Sequence, residues 1–174
     1  MSTGTVRLVA QLALVVAVAL GLGGCSHYQL GTGSTPGFAT LYVAPATNQT
    51  TLPQAREMLT TRVREAIARD GRVTLVNSPA EADATLTLTI VDYHRDVAAV
   101  REGDTGLARK FDLTLGVDCT LQLRDGKTLF ANRRIEGVRE AFTDAGQVQT
   151  EYQTLPLLAE LLARKIAHAS LDTW

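Results

Sequence analysis

The sequence predicts an α+β fold, a two-layer α/β sandwich in which two helices pack on one face of a mostly antiparallel (mixed) sheet. Three observations carry this. From Phe111 to Leu123 every odd position is apolar or Cys119, while Asp112, Thr114, Asp118, Thr120 and Gln122 hold even positions. That is the period-two pattern of a strand with one buried face. Ala55, Leu59, Val63, Ala66 and Ile67 recur at helical spacing, and so do Leu155, Leu158, Leu162, Ile166 and Ala169. One shared apolar layer satisfies both helix stripes and the one-sided strands.

The elements follow in order. Residues 1–24 read as an export leader: Arg7 precedes an apolar run from Leu8 to Leu22, broken once by Gln11 and too short to span a bilayer comfortably. The run closes on Leu22-Gly23-Gly24-Cys25, which resembles the lipobox of bacterial lipoproteins. Small residues let the chain thread an enzyme cleft in extended form, so that the Cys25 sulfur reaches a lipid donor. The resemblance implies diacylglycerol and acyl chains on Cys25, each buried CH2 contributing ~0.8 kcal/mol of membrane binding. The other reading is an ordinary signal peptide with an incidental cysteine. Ser26 is not aspartate and so lacks the common inner-membrane retention signal, which implies an outer-membrane destination. With Cys25 consumed, Cys119 stands alone and no intramolecular disulfide is expected.

Residues 25–37 read as a lipidated N-terminus and flexible tether, rich in glycine from Gly31 to Gly37. Residues 38–174 read as a single sandwich domain. Removing the leader leaves 150 of 174 residues, enough to bury roughly 70% of the unfolded surface without a disulfide or metal. Phe38 to Ala44 alternates as a strand ended by Pro45. A helix is expected from Thr51 or Leu52, with Pro53 in its first turn and Gly71 as its end. Arg72 to Asn77 reads as a short strand and Asn77-Ser78-Pro79 as a turn. Leu86, Leu88 and Ile90 then alternate with Thr85, Thr87 and Thr89. Arg124-Asp125-Gly126-Lys127 reads as a tight hairpin turn, with Thr128 to Arg139 as the returning strand. The last helix lies within Gln147 to Leu171; either it begins near Thr154 or an earlier turn kinks at Pro156. The outward sheet face would carry Thr85, Thr87, Thr89, Asp112, Thr114, Asp118 and Thr120.

The chain carries 17 basic and 18 acidic residues, a formal net charge of -1, and 5% aromatics. It therefore has neither the global basic field nor the stacking platform of a nucleic-acid binder. His27, His94 and His168 are too scattered for a local metal-ligand pair, and Cys119 has no neighbouring ligand. A glycine-rich phosphate loop, a nucleophile elbow and a histidine-glutamate helix motif are all missing from the sequence. A protein that is not an enzyme and takes no cofactor or metal is expected, with residues assembled from afar the one catalytic alternative. Cys119, on the core-facing register, reads as a small buried hydrophobe. Asp92 and His94, at i and i+2, read as a surface pair, or as half a site with a distant partner.

Arg95, Arg101, Arg109 and Lys110 surround the hairpin between the two long strands, and Arg133, Arg134 and Arg139 lie on the next strand. With that hairpin formed, these groups are expected to converge on one end of the sheet, where guanidinium groups bind phosphate bidentately. The other reading is solvated strand ends balanced by Asp92, Asp96, Glu102 and Asp104.

Along nearly the whole mature chain the sequence resembles the LptE-type lipopolysaccharide-assembly lipoproteins of the outer membrane. The residues that carry the likeness are Cys25 with Tyr28-Gln29-Leu30, Leu41-Tyr42-Val43-Ala44-Pro45 with Asn48, and Leu59-Thr60 leading to Arg64-Glu65 and Arg69-Asp70-Gly71-Arg72. Ala82-Asp83-Ala84-Thr85-Leu86, the strand from Phe111, Arg124-Asp125-Gly126 and a C-terminal amphipathic helix complete it. The resemblance implies two helices on a sheet acting as a plug inside an LptD-type outer-membrane β-barrel. It also implies transport of lipopolysaccharide to the outer leaflet, assistance in barrel assembly, and a lipid-anchored position on the periplasmic face of the outer membrane. Arg101 is the best positional match to lipopolysaccharide-binding basic residues, followed by Arg134 and Arg139. The competing expectation is an outer-membrane activator of a peptidoglycan synthase, which shares Val43-Ala44-Pro45-Ala46-Thr47-Asn48 and a following helix. Such activators carry longer tethers than the 12 residues from Ser26 to Gly37, which reach at most ~40 Å.

Overall fold

A proline gives no N–H to a strand ladder, and the first strand stops short of Pro45 for that reason. The computed structural model describes residues 35–52, 54–101, 104–142 and 147–172, so the leader, Cys25 and most of the tether lie outside the described residues. In chain order the elements are β1 (Thr40–Val43), β2 (Thr47–Asn48), α1 (Ala55–Asp70), β3 (Thr74–Val76), a 3-10 turn (Pro79–Glu81), β4 (Ala84–Arg101), β5 (Asp104–Leu123), β6 (Thr128–Phe142) and α2 (Gln147–Leu171). The sheet runs β3-β1-β4-β5-β6, with β2 continuing the β1 side of β4 beyond Pro45. β1 is parallel to both β3 and β4, and β2 is parallel to β4. β4, β5 and β6 are antiparallel neighbours. The mixed sheet with two helices is the fold that the apolar periodicities predict.

Several boundaries differ from the sequence reading. β1 is shorter than Phe38 to Ala44, although Phe38 is still buried. β3 is likewise confined to three residues of the expected Arg72 to Asn77. α1 begins at Ala55 rather than Thr51 or Leu52 because a local network holds the preceding loop. Asn48 Oδ1 accepts from the Thr50 amide at 2.9 Å and the Thr50 hydroxyl at 2.8 Å, and Asn48 Nδ2 donates to the Leu52 carbonyl at 2.6 Å. Such side-chain to backbone bonds compete with a helical start. Gly71 ends α1 as expected: at φ +77° it adopts the left-handed conformation, and its N–H donates to the Ile67 carbonyl at 3.3 Å. α2 begins before Pro156, which therefore lies inside the helix.

The first of several register shifts in the β4–β5 ladder sets which side chains face the helices from Asp92 to Val97. Ile90 pairs with Val117 but Asp92 pairs with Gly116, so Val91 is an extra residue in β4. Before it, Leu86, Leu88 and Ile90 face the helices and are fully buried. After it the parity reverses: Tyr93, Arg95 and Val97 pair with Leu115, Leu113 and Phe111 on the helix side, and Asp92, His94 and Asp96 turn to the open face. The expected alternation in β5 holds from Phe111 to Leu121, all of whose odd positions are buried. Thr114 departs from it, being buried on the open face between His94 and Val138.

Leu59, Val63 and Ile67 from α1 and Leu158, Leu162 and Ile166 from α2 close the core over Leu41, Leu88, Leu113 and Leu121. Each such side chain contributes about 1.5–3 kcal/mol by burial. α2 approaches β6 closely at Gly137, where an added Cβ would lie 3.0 Å from both Leu158 Cδ1 and Leu162 Cγ. Ion pairs tie the ends. Arg72 binds Asp70 at 2.7 Å and Asp172 at 2.6 Å, and His168 pairs with Asp172 at 3.0 Å. Asp83 Oδ2 accepts from the amides of Ala39 at 3.2 Å and Thr40 at 3.0 Å, while Arg124 Nε donates to the Ala82 carbonyl at 2.8 Å. The start of β1, the start of β4 and the β5–β6 turn are thus knotted together. That turn keeps Gly126 at φ +88°.

Two predictions follow from this packing. Gly137→Val forces Leu158 and Leu162 aside and is expected to destabilise the fold by about 1–3 kcal/mol, read as a lower urea midpoint. The hydrogen bond from Arg72 holds the Asp70 carboxyl below its ordinary 3.8, so its contribution is complete above pH ~3.8 and is lost as pH falls through the lower folded value. Asp70→Asn is therefore expected to reduce stability at neutral pH and to flatten the loss of stability below pH ~3.8, measured by denaturant titration across pH.

Candidate functional site

The described sheet has two faces with different chemistry. On the open face, Arg134 Nε bonds Asp118 Oδ1 at 2.6 Å and Arg134 Nη1 lies 3.8 Å from Glu136. Asp118 and Arg134 are direct cross-strand partners, and Asp118 raises the guanidinium pKa. Gly116 leaves the space Arg134 uses: an added Cβ there would lie 3.2 Å from both Arg134 Nη1 and Asp92 Cβ. His94 sits between two carboxylates, 3.0 Å from Asp92 and 3.3 Å from Asp96, the surface-pair reading of the sequence. Lys110 pairs with Glu140. This face is mostly polar, with Val138 and Phe142 about half exposed on it, and Arg134, His94 and Lys110 are each paired locally.

The helix-facing side differs beyond the point where α1 and α2 meet. Leu113 of β5 lies between Arg95 of β4 and Arg139 of β6 in one cross-strand row. Residues paired in a row share a face, so Arg139, flanked by buried Gly137 and Ala141, points to the same side as Arg95. Arg95 stacks over the Phe111 ring at 5.1 Å and bonds Glu151 of α2 at 3.1 Å, and the Tyr93 hydroxyl also donates to Glu151. Burial first, and then Glu151, push the Tyr93 phenol above its ordinary range. Arg139 Nε is buried with no hydrogen-bond partner among the described residues. The next residue of β5 on this face, Leu115, floors an apolar groove of about 180 Å3 lined by Leu52, Ala55, Met58, Tyr152, Leu155 and Ala159. Arginine row and groove are therefore adjacent along one strand. Together they offer guanidinium donors beside an aliphatic slot, a chemistry suited to an amphiphile with an anionic head.

The sequence candidates fall in different places. Cys25 lies outside the described residues. Arg101 closes β4 opposite Asp104, and its side chain lies outside the described residues. Arg134 and Arg139 point to opposite faces of β6. The row of Arg134 crosses β4 at Thr89 and that of Arg139 at Arg95, so the two rows lie roughly 40 Å and 20 Å of strand from Arg101. The expected convergence on one sheet end is thus corrected for Arg134, because strand pairing sets its row and strand parity its face. Arg133 is spent elsewhere, stacked over Phe130 at 4.8 Å. Sequence reading missed Tyr93 and Glu151, which are 58 residues apart and meet only through the Val91 bulge and the early start of α2. Cys119 is fully buried, and burial pushes its thiol up to about 12. Among the described residues no group of three His, Cys, Asp or Glu side chains is placed to hold a metal, and no helix is long and apolar enough to cross a membrane.

The architecture is a two-layer sandwich also seen in solved structures of low identity. It matches protein XCC0632 from Xanthomonas campestris with a TM-score of 0.60 at 14% identity, over 81% of this chain and 89% of that one. The hypothetical protein CT253 from Chlamydia trachomatis gives 0.57 at 7% identity, over 78% and 96%. A lipoprotein described as putative from Caulobacter crescentus gives 0.52 at 17% identity, over 77% and 89%. No curated protein matches the chain. The family is narrower than the fold: the model of the LptE lipopolysaccharide-assembly family matches residues 38–170, and the chain belongs to that family.

Proposed function

We propose that this protein is a non-enzymatic outer-membrane lipoprotein of lipopolysaccharide assembly. In this reading acyl chains on Cys25 hold it at the periplasmic face, its sandwich domain seats in the lumen of an LptD-type β-barrel, and it contacts lipopolysaccharide there. The family match over residues 38–170 carries the reading. Two features support it. The leader ends in Leu22-Gly23-Gly24-Cys25, and the arginine row beside the apolar groove suits a ligand that joins phosphates to fatty chains. Arg139, whose Nε has no described partner, is the strongest candidate for a phosphate contact. Arg134 is weaker because Asp118 and Glu136 already hold it. Arg101 stays a candidate at the tip of the hairpin.

Affinity purification from detergent-solubilised membranes is expected to recover a β-barrel protein with this chain, and depletion is expected to lower surface lipopolysaccharide. Recovery of a peptidoglycan synthase without a barrel would overturn the reading. Arg139→Gln is expected to weaken lipopolysaccharide binding about tenfold, the scale of one charge-assisted hydrogen bond, with an unchanged melting temperature. Arg134→Gln is expected to change binding by less than twofold. Equal effects of the two variants would remove Arg139 from the site.

A further inference from the structure

We propose that the first part of α2, residues 147–155, is a lid hinged at Pro156, latched to the sheet by Glu151, and that its opening widens the apolar groove. The proposal stands on the geometry of the helix and does not depend on the function above. Pro156 gives no N–H to the Tyr152 carbonyl one turn back, so the helical ladder is interrupted at that point. The two sides of the interruption are held differently. C-terminal to it, Leu158, Leu162, Ile166 and Leu171 are fully buried in the core. N-terminal to it, the described side chains run from Glu151 to Leu155, and only the polar Thr154 is buried. Tyr152 is 63% exposed.

Among the described side chains of 151–155 no apolar one is fully buried, which is the character of the low-stability end of a fold. What fastens it is polar. Glu151 accepts from the Tyr93 hydroxyl and pairs with Arg95 at 3.1 Å, and Arg95 is itself steadied over Phe111. The lid supplies Tyr152 and Leu155 to one wall of the groove, whereas Leu115 is its floor, Ala159 lies beyond the hinge and Ala55 and Met58 belong to α1. Rotation about Pro156 therefore moves one wall and leaves the others in place. The latch sits on the same strands as the Arg95–Leu113–Arg139 row, so an anion that draws Arg95 away from Glu151 would release the lid.

Hydrogen exchange of the full chain, followed by mass spectrometry, tests this. Amides of residues 147–155 are expected to exchange at least tenfold faster than those of 157–171. Glu151→Gln is expected to accelerate the first segment threefold or more and leave the second unchanged, and Tyr93→Phe, which removes only a hydroxyl, to act in the same direction. Pro156→Ala is expected to slow exchange in 147–155 toward the rate of the rest of the helix. Uniform protection along α2, or acceleration spread evenly over both segments in Glu151→Gln and Tyr93→Phe, would overturn the lid.

Discussion

The single extra residue at Val91 decides what each half of the long β4–β5 ladder can do. A strand that alternates strictly over its whole length would have sent Asp92, His94 and Asp96 toward the helices, where unpaired charge is expensive to bury. The bulge reverses the parity once. The first half then supplies Leu86, Leu88 and Ile90 to the core, and the second supplies Tyr93, Arg95 and Val97 to the helix side. Because α2 begins at Gln147 and extends over that second half, its acidic residue Glu151 finds a phenol and a guanidinium rather than an aliphatic wall. The latch and the Arg95 end of the arginine row depend on that one insertion.

The free edge of the sheet shows a second constraint. β6 is an outermost strand of 15 residues, a length that invites pairing with another chain. α2 answers this from above. Gly137 lets the helix come close, and Lys165 Nζ donates to the Glu136 carbonyl at 2.8 Å, occupying a backbone acceptor on the strand. Charged side chains at Arg133, Arg134, Glu136 and Glu140 further discourage edge-to-edge association. Val138 and Phe142 are exceptions, each about half exposed on the open face. The same helix thus protects the edge with its C-terminal part and walls the groove with its N-terminal part.

What was legible in the sequence were the features written in local periodicity. The Phe111 to Leu123 alternation, the Ala55 to Ile67 stripe, the Gly71 stop and the Gly126 turn each depend on residues a few positions apart. The start of α1 was misread because Asn48 and Thr50 hold the loop by hydrogen bonds that apolar spacing does not register. The placement of the arginines was illegible for a different reason. Strand parity and row depend on where a bulge falls and how strands pair, and nothing around Val91 marks it as the extra residue. Arg134 and Arg139 looked like neighbours on one strand, yet five residues of alternation put them on opposite faces.

Net charge conceals how the cations are used. A balance of 17 basic against 18 acidic residues would leave little free positive charge if pairing were uniform, and much of it is indeed committed. Arg72 is held by Asp70 and Asp172, Arg134 by Asp118, Lys110 by Glu140, Arg164 by Glu160 and Arg124 by Asp83. Most of these pairs are at least partly exposed, where an ion pair contributes about 0–1 kcal/mol, so they fix chain geometry more than they add stability; Asp172, which is buried, is the exception. Arg139 departs from the pattern, with a buried Nε that finds no described partner. A guanidinium partly withdrawn from water and left incompletely bonded gains most from an arriving oxyanion, because its desolvation cost is already incurred in the folded state. Its row lies next to the apolar groove floored by Leu115.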